Sequence, residues 1–266
     1  MIKHLTQSFL NFFGYKIVKL KSENGLVYGH DDENEAKSAI KIVDKYTMIT
    51  YPRLVSLYGL AKYCEINRLE GSFVECGVWK GGAMGLMAIV NMEHGVKRRK
   101  LHLFDVFDDI CEPDDKLDGQ QAIDDIKKYG GPNAGTNGKL KSIKGGYDAF
   151  GGHGTIEGNK ILLETIIGYN REYIKYHKGW FQDTLPDDVH KIDKIALLRL
   201  DGDWYSSTKI CLDYLYDKVI NGGIVIVDDY GHYEGCKKAV DQFLTENNIQ
   251  VYLNHDDYSC RYWIKP

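Results

Sequence analysis

The chain has 266 residues, 43% of them hydrophobic and 27% charged, which suits one large α/β domain with appendages and excludes disordered, collagen-like and coiled-coil classes. Lys and Arg number 34 against 38 Asp and Glu, a net charge of −4, so a dedicated nucleic-acid binder is not expected and a small-molecule partner is. Six scattered cysteines without a CxxC pair, no signal-peptide pattern and no run of ~18 apolar residues predict a cytoplasmic protein with no transmembrane segment.

Ile2, Leu5, Phe9, Phe12 and Phe13 share one helical face, and Lys3, Lys16, Lys19 and Lys21 precede the first acid, Glu23. Residues 1–45 are therefore expected to form an amphipathic arm followed by a polar connector (21–37). The simpler use of the arm is packing on its own domain or a sister subunit, and weak peripheral membrane contact is the alternative. Residues 46–266 form the main domain.

Leu54, Leu57, Leu60, Ala61 and Cys64 predict a helix over 51–68. A buried strand follows over 71–77, then a helix over 82–92 and a strand at Leu101-His-Leu-Phe-Asp105, which together make a parallel βαβ unit. Periodicity is lost between Val106 and Lys160, where two glycine-rich runs mark a lid or binding loop over about 106–160. Further helices are expected at 161–169, 208–219 and 235–245, and strands at 173–177, 195–201 and 223–228. Residues 250–253 and 258–264 suit a closing antiparallel pair. The fold class is α/β, with a doubly wound, mostly parallel sheet.

Ligands of open parallel sheets bind outside the carboxyl ends of the strands. Acids occupy nearly all of these ends: Glu75, Asp105, Asp201, and Asp228 with Asp229. In the block Glu75-Cys-Gly-Val-Trp-Lys-Gly-Gly82, Gly77 would let the backbone approach a ligand, and Gly81 and Gly82 would open a helix whose free N–H groups favour an anion. Asp105, at the end of the next strand, is where an acid commonly accepts hydrogen bonds from ribose, so a nucleoside-bearing cofactor is expected. Convergence of Asp201, Asp228 and Asp229 calls for a neutralising cation, and all-oxygen donors point to Mg²⁺. No P-loop, GxSxG elbow, HExxH or metal-spaced Cys/His cluster occurs.

The sequence resembles the macrocin O-methyltransferase family through Tyr46-Thr-Met48, Phe73-Val-Glu-Cys-Gly-Val-Trp-Lys-Gly-Gly82, Lys178-Gly-Trp-Phe-Gln-Asp-Thr-Leu-Pro186, Leu198-Arg-Leu-Asp-Gly-Asp-Trp-Tyr-Ser-Ser-Thr208 and Gly222-Gly-Ile-Val-Ile-Val-Asp-Asp-Tyr-Gly231. The resemblance implies a Rossmann-like class I methyltransferase with a seven-stranded sheet whose last strand is antiparallel, usually as a homodimer. It implies an enzyme that uses S-adenosylmethionine to methylate a hydroxyl of a sugar or glycoside. It further implies Mg²⁺ held by Asp201, Asp228 and Asp229, with Asp203 as general base. Glu75, Gly77, Gly81 and Asp105 would hold the cofactor, and Trp180 with Phe181 would wall the adenine or the substrate. His153, in the glycine-rich lid, is the alternative proton acceptor. A metal-dependent enzyme acting on a catechol-like phenol would use the same fold and ion, whereas a nicotinamide-dependent dehydrogenase lacks its GxGxxG here.

Overall fold

The computed structural model describes residues 33–131 and 133–266. The helical pattern of the first 32 residues lies outside them. The first described helix, α1 (Asn34–Val43), buries Ala36, Ala39, Ile40 and Val43. It belongs to the same compact unit as the rest of the chain to Pro266. Residues 34–37, read from sequence as the end of a connector, are therefore its first turn, because the apolar residues that follow fall at helical spacing.

Helix α2 (Tyr51–Ile66) starts with proline inside its first turn, where the missing N–H costs nothing. Strand β1 (Ser72–Cys76) is buried throughout and leads into α3 (Gly82–His94), then β2 (Leu101–Asp105). The lid is more regular than its sequence suggests. It contains helix α4 (Gly119–Tyr129), whose Ala122 and Ile126 pack with Ile143 against Trp204, and a short helix α5 (Ile156–Lys160) that continues as a π turn over Ile161–Ile166. Only Ala122 and Ile126 of the otherwise polar run Gly119–Tyr129 are buried, so its helical face is narrow and does not stand out as an apolar run.

Strand β3 (Ile174–Lys178), helix α6 (Phe181–Asp188), strand β4 (Ile195–Leu200), helix α7 (Tyr205–Leu215), strand β5 (Val219–Val227) and helix α8 (Glu234–Glu246) follow. The chain closes with β6 (Asn254–His255) and β7 (Arg261–Ile264), so the first strand of the closing pair begins after Leu253 instead of ending there.

The seven strands run in the order β3-β2-β1-β4-β5-β7-β6. Strands β1 to β5 are parallel, and β7 is antiparallel to both β5 and β6. Alternate residues feed opposite faces of the sheet. Phe73, Leu197, Ile224 and Ile226 pack under α1, α2 and α3, whereas Val74, Leu198, Val225 and Val227 pack under α6, α7 and α8. Two covered faces explain why β4 and most of β5 read as unbroken apolar runs. Strand order reverses between β1 and β4, and the crevice beyond their carboxyl ends is where such sheets bind ligands.

Candidate active site

At that crevice Gly77 has φ of +86°, and its N–H donates to the carbonyl of Phe104 (2.9 Å). A Cβ at Gly77 would lie 1.8 Å from the carbonyl oxygen of Asp201, so glycine is required there by the approach of β4 as well as by the dihedral. The other two glycines of the block are closely packed on the side where a Cβ would stand. The space a side chain would fill at Gly81 is taken by the Asn159 amide, and at Gly82 by Tyr46 and Thr47. The chain outside the helix covers its start, which the sequence pattern could not reveal.

Asp105 uses its carboxylate on the turn itself. Oδ2 accepts from the N–H groups of Val78 (2.6 Å) and Trp79 (3.0 Å), and Oδ1 accepts from that of Phe107 (2.6 Å). These three bonds oppose burial, which raises its pKa. Asp105→Ala should thus lower unfolding stability by about 1–3 kcal/mol together with cofactor affinity. A residue that only met a ribose would change affinity alone, and denaturant titration beside calorimetry separates the two outcomes.

Two cavities flank the turn. One is lined by Gly77, Asp105, Trp180 and Phe181; the other by Thr47, Arg53, Glu75 and Asp229. Trp79, Asp201 and Asp203 line both. Trp79 and Asp203 are also two of the few non-glycine residues with positive φ, +49° and +60°. Such strain persists only where the surroundings enforce it, and it gathers at functional sites.

The acids divide into two sets. Asp201, Asp203 and Asp229 bring one carboxylate oxygen each within 4.8 Å of one another, and the buried Oδ2 of Asp229 has no hydrogen-bond partner. Burial and the neighbouring Asp201 push the Asp203 carboxyl up to about 8. Burial, then Asp203 and Asp201, hold Asp229 well above the usual range. Hard oxygen donors, an orphaned oxygen and carboxyls that resist ionisation without a positive charge fit a divalent cation.

Asp228 belongs to the other set. Its Oδ2 accepts from Arg53 (2.6 Å) and its Oδ1 from Arg199 (2.6 Å). Of the three ligands expected from sequence, the structure brings Asp201 and Asp229 to the common point, and Asp203 completes the cluster where Asp228 was expected.

Arg199 is 2% exposed and also donates to Glu75 Oε1 and Asp201 Oδ2, both at 2.8 Å. It sits on a strand buried on both faces, so alternation in the sequence could not aim it. Glu75 is 1% exposed; burial raises its pKa to about 8 despite Arg199, and its Oε2 has no partner. Arg53 was not legible in sequence, because its value depends on α2 crossing the end of β5. His153 lines neither cavity. It lies by Asp108 and Asp109, with Nδ1 3.9 Å from Asp109 Oδ1.

This strand order, with an acid-rimmed crevice at the switch point, defines a class I methyltransferase. The macrocin-O-methyltransferase family model matches residues 15–130 and 166–265, which leaves unmatched the second half of the lid with the few residues after it, and the two ends. The chain belongs to that family. It is 34% identical over 220 residues to the demethyldecarbamoylnovobiocin O-methyltransferase of Streptomyces niveus, covering 82% of this chain and 75% of that one. It is 28% identical over 218 residues to the 8-demethyl-8-(2,3-dimethoxy-alpha-L-rhamnosyl)-tetracenomycin-C 4'-O-methyltransferase of Streptomyces olivaceus, with 82% and 75% covered. The solved structure of the O-methyltransferase NovP superposes with a TM-score of 0.64 at 33% identity, covering 83% of this chain and 82% of that chain. Among the described residues, no helix is long and apolar enough to cross a membrane.

Proposed function

We propose that this enzyme transfers the methyl group of S-adenosylmethionine to a hydroxyl of a sugar carried on a glycoside. The observation that carries this reading is the pair of cavities that meet only at Trp79, Asp201 and Asp203. Methyl transfer joins two bound molecules at one point, and catalysis consists of aligning them and managing one proton. The cavity beside Trp180 and Phe181 suits a nucleoside, with aromatic walls for a base. The sugar acceptor is supported by the relative from Streptomyces olivaceus, whose name specifies the 4' oxygen of a rhamnosyl-bearing substrate.

Asp201 and Asp229 would hold a magnesium ion, and Asp203 would take the acceptor's proton. A divalent ion there supplies positive charge that favours ionisation of a nearby hydroxyl. Within the chain, Arg199 and Arg53 keep Asp228 oriented away from the cluster and leave Asp229 Oδ2 free. Methyl transfer from labelled S-adenosylmethionine to a panel of deoxysugar glycosides, with catechol as the competing acceptor class, tests the reading. Turnover on the glycosides supports it; turnover on catechol alone replaces the sugar by a phenol.

The ion leaves a signature in stability as well as in activity. Glu75 and Asp203 titrate near 8 in the folded chain and near 4 when unfolded, so the folded state holds more protons between those values. Without metal, their contribution to stability is complete below about pH 4 and is lost as pH rises through about 8. EDTA-treated protein should therefore lose thermal stability between pH 6 and 9, and Mg²⁺ should raise Tm more at pH 8.5 than at pH 6. EDTA should also abolish turnover and Mg²⁺ restore it. A Tm indifferent to Mg²⁺ at both pH values, with full activity after chelation, would remove the ion.

A further inference from the structure

Trp79 is held more firmly than its place in a glycine-rich turn requires. Its backbone N–H donates to Asp105, its carbonyl accepts from the Asn159 amide (2.9 Å), and its indole N–H donates to the Gly152 carbonyl (3.1 Å). Gly154 lies so close that a Cβ there would be 1.7 Å from the Trp79 carbonyl oxygen. Together these contacts enforce a left-handed conformation that is costly for a residue with a side chain. Lys80 Nζ already sits 4.4 Å from the ring centroid and is itself tethered to the carbonyls of Phe150 and Gly151. The ring is thus fixed in direction and is visited by a cation, and Trp79 is one of the residues that line both cavities.

Besides the magnesium ion, the reaction proposed above brings to that junction a cation that loses its charge in the transfer. The methyl carbon leaves a positively charged sulfur, whose bonding pair stays behind as a neutral thioether, while the acceptor oxygen supplies the new pair and its proton passes to Asp203. An aromatic face holds the desolvated cation more strongly than the thioether, whose contact with a ring carries no net charge. Resting on the methyltransferase reading, we infer that the Trp79 indole is a positioning residue for the methyl-sulfonium: it orients the donor's charged sulfur toward the second cavity and relaxes its hold once the charge is gone.

Calorimetry with S-adenosylmethionine, S-adenosylhomocysteine and sinefungin, whose amine replaces the sulfonium, tests this on the full chain. Trp79→Leu should reduce the preference for the two charged ligands over S-adenosylhomocysteine by roughly 3–30-fold. Trp79→Phe, which keeps a ring and loses the bond to Gly152, should retain most of that preference. Trp79→Met repeats the comparison if the leucine variant does not fold. Equal weakening of all three ligands, or a phenylalanine variant as impaired as the leucine one, would overturn the inference and leave Trp79 as an anchor of the lid. Failure of the unaltered protein to bind any of them would sink the methyltransferase reading instead.

Discussion

Asp203→Asn should slow single-turnover methyl transfer by ~10²–10⁴-fold while leaving cofactor affinity within a few-fold. The amide keeps the shape of the side chain and a carbonyl oxygen that can still face a cation, but it cannot accept a proton. Its position supports that use: Asp203 lines both cavities and lies with Asp201 and Asp229 in one cluster. Burial and the neighbouring Asp201 give it a pKa near 8, close to what a base working at neutral pH needs. Because the cation would pull this value down, the acid limb of the rate profile should shift to lower pH as Mg²⁺ saturates. Near-unaltered rates with the same acid limb in Asp203→Asn would show that another group takes the proton. His153 then becomes the candidate, although it lines neither cavity.

The second large effect concerns stability. Arg199→Leu should destabilise the protein by about 3–5 kcal/mol, because Glu75, Asp201 and Asp228 would lose their shared guanidinium in a buried setting. Leucine itself suits a strand covered on both faces, so the loss would come from the uncompensated carboxylates. They can recover by binding protons, so the deficit should shrink from pH 8 toward pH 5. Arg199→Lys should restore only part of it, since one ammonium cannot reproduce a planar fork that donates to three carboxylates. Guanidinium unfolding at the two pH values measures both differences. A loss below 1 kcal/mol at pH 8 would mean that water or Arg53 already neutralises the cluster.

Much of this molecule is written in local sequence. Alternating and unbroken apolar runs specified five parallel strands, because a strand covered by helices on both faces must be apolar throughout. The acids Glu75, Asp105, Asp201, Asp228 and Asp229 could be placed at strand ends, since the end of an apolar run marks the end of a strand. The glycine block, the DGD turn and the GGIVIVDDYG segment carried the family resemblance.

Which acids face one another was decided only by the tertiary structure. Asp228 and Asp229 are neighbours in sequence, yet one is held by Arg53 and Arg199 and the other leaves an oxygen unpartnered. That division depends on α2, 175 residues away in the chain, delivering Arg53 to the end of β5. Asp105 reads in sequence as a ribose acceptor, and the sequence does not show that folding also brings the amides of Val78 and Trp79 to its carboxylate or packs Asn159 against Gly81. Sequence pattern records what each residue needs from water or from apolar surroundings. The partner of a buried charge is set by strand order and by helices that cross the sheet, contacts between residues far apart in the chain that leave no local periodicity.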